Sequence, residues 1–180
     1  DFCLSRGLGD VYKRQPTTQS ELQSYRSQIG ADIQKLLRYR HFDQPMAPRL
    51  LVKTPRKGYK IEKLEFLSEP GIYVSAWVFI PNLITGKHPA IIYVNETGNE
   101  VNGLEFGVLE GMALQGETVV AVDVRGIGAT RPRGSTEPRG KFPNQDDAEV
   151  ALTYWTWAMD EELFGMRVQD VIRTVDYTLS

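Results

Sequence analysis

Apolar residues recur in two rhythms along this chain. Between Ser20 and Arg40, Leu22, Tyr25, Ile29, Ile33, Leu36 and Leu37 follow helical spacing, which predicts a helix with one apolar face and Ser20 as its cap. Phe42 to Gly58 holds Pro45, Pro48 and Pro55 and reads as an extended connector. The rhythm then changes to period two. Lys60–Leu67 and Ile72–Ile80 read as strands, and Glu69-Pro70-Gly71 between them supplies the turn of a hairpin. In the second strand Ile72, Val74, Ala76, Val78 and Ile80 share one face, while Tyr73, Trp77 and Phe79 share the other. That pattern predicts a strand covered on both sides.

Pro89–Val94 is short and almost wholly apolar, the pattern of a buried parallel strand, and Glu117–Val124 again reads as a buried strand. Between them lie a polar loop, Asn95–Gly103, and a helix predicted over Leu104–Leu114. Leu104, Val108, Leu109 and Met112 form its apolar face, and Gly116 follows as a C-terminal cap. The strand–helix–strand unit should have a right-handed crossover. Arg125–Gln145, rich in Gly and Pro, is a long irregular stretch, and such loops are often functional. Asp146–Met159 reads as a helix with Asp146 and Asp147 near its positive end, and a last helix runs from about Leu163 to Ser180. A hairpin followed by such a unit predicts the α/β class: a mixed, mostly parallel sheet with an antiparallel leading hairpin and flanking helices.

Composition adds mainly exclusions. The chain has 21 basic and 23 acidic residues, interspersed, so nothing marks a nucleic-acid surface. No apolar run approaches the roughly 18 residues that a membrane span needs. Cys3 is the single cysteine and excludes an internal disulfide. It lies in an odd leader. Ser5–Gln15, ending Asp10-Val11-Tyr12-Lys13-Arg14-Gln15, resembles a translated sequencing adapter. The expected organisation is a non-native leader over 1–15, a helix and linker over 16–58, and a truncated catalytic-type domain over 59–180.

Three motifs carry candidate chemistry. Ile91-Ile92-Tyr93-Val94 runs into Asn95-Glu96-Thr97-Gly98-Asn99, a buried strand ending in a small polar loop. On these residues alone a plain strand-to-helix turn is the simpler reading. Val122-Asp123-Val124-Arg125-Gly126-Ile127-Gly128 offers a Gly-x-Gly after a strand. A dinucleotide fingerprint is excluded, because Arg131 stands where the third glycine would fall and the following stretch is Pro-rich. Gly165-Met166-Arg167-Val168 leads into Asp170, with Val168, Val171, Ile172, Val175 and Leu179 on one face; as periodicity this is an amphipathic helix.

In their order and spacing, from about Tyr59 to Ser180, these motifs resemble the acetyl xylan esterase and prolyl-oligopeptidase-like branch of the α/β-hydrolases. The resemblance implies a serine-dependent carboxylic ester hydrolase, with Ser, Asp and His in that chain order. No Gly-x-Ser-x-Gly occurs in these residues, so the whole triad is expected beyond Ser180 and the fragment itself is expected to be inactive. The loop after Val94 would supply an oxyanion-hole N–H, with Thr97 the first choice and Glu96 the second. Small-molecule or carbohydrate esters are the implied substrates, and no cofactor is implied. Two departures stand out. Asn95-Glu96 replaces the His-Gly of many relatives, and Ile127 replaces the Gln that follows Arg-Gly in esterases acting on small acetylated sugars. The alternatives are a peptidase of the prolyl-oligopeptidase type, which would need a β-propeller before Ser20, and a non-catalytic binding module of the same fold.

Arg125 and Asp170 are candidates for a supporting ion pair beneath this edge, with two independent surface charges as the equal alternative. His41 and His88 are expected to be structural or exposed, and no group of residues has metal-ligand spacing. Tyr154, Trp155 and Trp157 are expected to pack in a core or an interdomain contact. Arg131, Arg133, Arg139 and Lys141 give the long loop a basic bias, expected to be solvated.

Overall fold

A computed structural model describes residues 15–84, 86, 88–132 and 146–180, the side chains of 146–148 excepted. The leader with Cys3, the loop cations Arg133, Arg139 and Lys141, and the carboxylates of Asp146 and Asp147 lie outside the described residues. The chain divides into two units, Asp1–Tyr39 and Arg40–Ser180.

The first unit contains α1, Gln19–Leu36. Its cap is Thr18 rather than Ser20. Thr18 Oγ1 accepts the Glu21 N–H at 3.2 Å, and Glu21 reaches back to the Thr18 N–H at 3.1 Å, so the capping box starts the helix before Ser20.

The second unit is built on a five-stranded sheet in the order β1-β2-β3-β5-β4. The strands are β1 (Arg49–Pro55), β2 (Tyr59–Glu69), β3 (Ile72–Pro81), β4 (Ala90–Val94) and β5 (Thr118–Asp123). β2 and β3 form the expected hairpin, turned at Gly71 with φ +81°. β3 pairs antiparallel with β5, and β4 pairs parallel with it in the register Val94↔Val122. All of β5 is buried, as its apolar run demands.

β1 corrects the connector reading of Phe42–Gly58. Residues 49–55 add to the edge of β2, with an irregularity between Leu50 and Val52. Its side chains are largely exposed, so no alternation of apolar residues announces it. Backbone pairing and cross-strand charges such as Lys53–Glu62, at 3.2 Å, hold it instead.

The sheet has a core on each face. Leu64, Phe66, Val74, Ala76, Val78, Val120 and Val122 fill one, with Ile127, Val171 and Tyr177 packed against them. Tyr59, Ile61, Phe79, Val119 and Ala121 fill the other, with Leu109 and Ala113. The phenylalanines anchor both sides. Phe66 and Phe79 are fully buried, each contributing roughly 1.5–3 kcal/mol, and Phe66 stacks on Tyr177 at 5.3 Å.

The helix expected over Leu104–Leu114 begins only at Val108, as α3 (Val108–Leu114), and a separate short helix, α2 (Asn99–Asn102), forms in the segment expected as a polar loop. Gly103 and Gly107 lie between the two. A Cβ on Gly103 would lie 2.6 Å from the Trp77 ring, and one on Gly107 2.5 Å from the Asn102 carbonyl oxygen, so backbone packs where a continuous helix would place side chains. Leu109 is consequently buried, but Leu104 and Val108 are exposed.

α4 (Asp146–Ala158) and α5 (Leu163–Leu179) follow. α4 turns Ala151, Leu152 and Thr156 inward and leaves Tyr154, Trp155 and Trp157 exposed, so the expected packing of that aromatic run does not occur within the described residues. Trp157 stacks edge-on with Tyr154 at 5.8 Å and donates to Glu162 at 3.2 Å. On α5 the most buried residues include Gly165, Gln169, Asp170, Arg173 and Thr174, while Val175 and Leu179, on the predicted apolar face, are exposed.

Candidate active-site edge

β4 and β5 run parallel, so their carboxyl ends leave the sheet side by side. The loops that follow meet there. Gly98 and Gly128 both have positive φ, +88° and +57°, and a Cβ on Gly98 would fall 2.5 Å from the Gly128 Cα. Only glycine fits this approach. The Thr97 region and the loop that begins at Arg125-Gly126 therefore share one rim.

Asp123, the last residue of β5, sits at this junction and is 3% exposed. Its Oδ1 accepts the Asn99 N–H at 2.8 Å and its Oδ2 accepts the Ala129 N–H at 2.9 Å. Burial pushes the Asp123 carboxyl up from the ordinary carboxylate range. The two N–H donors oppose that shift and the nearby Glu100 charge adds to it.

The two candidate oxyanion donors differ in availability. Thr97 N–H donates to Asn95 Oδ1 at 2.8 Å, and Thr97 Oγ1 donates to the same oxygen at 2.6 Å. The loop thus closes as an Asx turn, which occupies the amide ranked first from sequence. Glu96 N–H has no acceptor among the described residues, and the Glu96 side chain is exposed.

Arg125 and Asp170 lie together beneath the rim. Arg125 donates three times to Asp170: from its backbone N–H to Oδ2 at 2.9 Å, from Nε to Oδ2 at 3.0 Å, and from Nη2 to Oδ1 at 2.6 Å. Asp170 is fully buried and also accepts from Ser68 Oγ at 2.5 Å; Arg125 Nη1 reaches Glu69. Burial alone would lower the Arg125 guanidinium. The hydrogen bonds and charge of Asp170, then those of Glu69, outweigh burial and hold it above its ordinary value.

Arg167, three residues before Asp170 on the same helical face, completes the support. Its Nε donates to the Arg125 carbonyl at 3.1 Å, and its other nitrogens fork onto Glu149 at 2.7 and 2.6 Å. Both backbone groups of Arg125 are therefore bound to α5. Gly126, with φ +79°, passes so close that a Cβ would meet Leu152 at 2.7 Å.

Asp123, Ser68, Glu69 and Arg167 also contribute, and none of them was expected at this edge from the sequence, where Glu69 was read only as part of the hairpin turn. Asp123 and Arg167 stood within the quoted motifs, and the spacing of Arg167 and Asp170 was the available signal. The histidines lie elsewhere. His88 Nε2 bonds Thr118 Oγ1 at 2.6 Å at the start of β5, the opposite sheet edge, and His41 pairs with exposed Asp43 at 2.7 Å.

A sheet with helices on both faces and a stitched loop pair at its carboxyl edge defines an α/β-hydrolase-type scaffold. The chain belongs to the Abhydrolase family, whose model matches residues 9–130, a span that begins inside the segment read as a leader. No curated protein is significantly similar to it in sequence. Solved structures that share its fold include two from bacteria. A Bacteroides fragilis protein, provisionally assigned as an acetyl xylan esterase, is 16% identical with a TM-score of 0.70, covering 98% of this chain and 50% of its own. An acetyl xylan esterase from Paenibacillus sp. R4 is 21% identical with a TM-score of 0.52, covering 96% of this chain and 51% of its own. The chain thus spans about half the length of each.

Proposed function

We propose that the whole protein is a serine-dependent carboxylic ester hydrolase of the acetyl xylan esterase type, with this chain supplying its oxyanion rim and the Ser, Asp and His lying beyond Ser180. The observation that carries this reading is the meeting of two loops at the carboxyl edge of β4 and β5, with Glu96 N–H left without an acceptor. A serine placed beside that rim would attack an ester carbonyl. A histidine would take the serine proton and later return a proton to the leaving alcohol, and a fixed amide would stabilise the oxygen that turns negative. Glu96 is the donor this loop offers, since the Thr97 amide is occupied. Arg125 and Asp170 hold the second loop and touch no substrate in this reading. Small-molecule or carbohydrate esters are the favoured substrates, in keeping with the names of the two similar structures.

The test is titration of the full-length protein with a fluorophosphonate, followed by hydrolysis of p-nitrophenyl acetate. One equivalent of label on a serine in a Gly-x-Ser-x-Gly turn, with parallel loss of hydrolysis, is the expected result. A coding sequence with no such turn after Ser180, or a folded protein that takes no label, refutes the proposal.

A further inference from the structure

We propose that Asp123 is the positioning residue of the oxyanion loop, its carboxylate fixing the backbone after β4 against the backbone after β5. This rests on reading Asn95–Asn99 as that loop. Each carboxylate oxygen takes one N–H, and the two donors come from different loops, Asn99 from the first and Ala129 from the second. The loop is thereby pinned at both ends. Val94 is held in the sheet opposite Val122, and Asn99 is held on Asp123, so Glu96 and Thr97 are suspended between two fixed points.

The seat leaves no slack. A Cβ on Gly128 would lie 2.5 Å from both carboxylate oxygens of Asp123, and one on Gly98 would strike Gly128 itself. Among the described residues no cation pairs with this nearly buried carboxylate, so backbone amides alone satisfy it. Two donors converging on one side chain also explain the residue type. An amide of the same shape offers one acceptor oxygen and turns an NH₂ toward the other N–H. A displacement of about 1 Å at a reacting centre can cost on the order of a hundredfold in rate, so a loosened Asn99 would be felt at Glu96.

The experiment compares full-length wild type, Asp123→Asn and Gly128→Ala. It uses site-resolved amide hydrogen exchange together with kcat and KM on p-nitrophenyl acetate. Asp123→Asn should speed exchange at Asn99 and Ala129 together and leave β5 amides such as Val120 protected. It should lower kcat by about ten- to a hundredfold while KM stays within about threefold. Gly128→Ala keeps the carboxylate but displaces it, should give the same pattern, and carries the test if Asp123→Asn does not fold. Unchanged protection at either amide, or loosened amides with wild-type kcat, overturns the proposal. A wild type without esterase activity refutes the esterase reading instead, and the exchange data still decide whether the clamp exists.

Discussion

Removing Asp170 should destabilise the protein far more than an ordinary surface carboxylate would. Asp170→Ala takes away an acceptor of the Arg125 N–H, Nε and Nη2 and of Ser68 Oγ, and leaves a guanidinium only 14% exposed. Breaking one side of a buried pair typically costs about 3–5 kcal/mol, because the surviving charge is left uncompensated. Glu69 still faces Arg125, so the lower end, about 3 kcal/mol, is expected. With a urea m-value of about 2 kcal/mol/M, the unfolding midpoint should fall by roughly 1.5 M with m unchanged. Arg125→Met leaves Asp170 buried with Ser68 Oγ and the residue-125 N–H still donating, and should cost a similar amount. The double variant removes both charges and should cost about as much as either single one, a coupling of about 2 kcal/mol or more. Urea unfolding of the wild type and the three variants, followed by circular dichroism, measures each term. Single costs that add to within about 0.5 kcal/mol in the double variant would show that the two residues act independently and would refute the account.

Two further predictions follow from the packing and the charges. Phe66→Ala removes a fully buried ring stacked on Tyr177, and thermal or urea unfolding should show a loss of about 3–5 kcal/mol. Glu149 is held below its ordinary value of 4.5, first by the hydrogen bond from Arg167, with burial opposing and the Arg167 charge assisting. Its folded-state pKa is depressed, so its stabilisation is present above about pH 4.5 and lost as pH falls through the lowered value. Glu149→Gln should therefore melt below wild type at pH 7 and match it in strong acid; Tm measured against pH checks this, and a constant difference would be the contrary result.

Much of the scaffold was legible before any coordinates. Period-two runs around Pro70-Gly71 produced the β2–β3 hairpin, and unbroken apolar runs produced β4 and β5. The Arg125 and Asp170 motifs were also visible, because each stood in a distinctive local string. Other features were not. β1 presents exposed side chains, so its pairing depends on the backbone of β2 rather than on its own pattern. The buried face of α5 is unusually polar. Asp170 and Arg173 are buried because Arg125 and Ser68 meet the first and the Phe42 and Gln44 carbonyls meet the second, and hydrophobic periodicity is blind to such partners.

The order of residues thus determined which segments pair, where the chain turns, and which short polar loops leave the sheet, since these depend on local apolar spacing and on Gly and Pro. The tertiary structure alone decided which amides are held across loops. The Asp123 carboxylate draws Asn99 and Ala129 together, because a hydrogen bond between separate segments depends on where the partner lies in space.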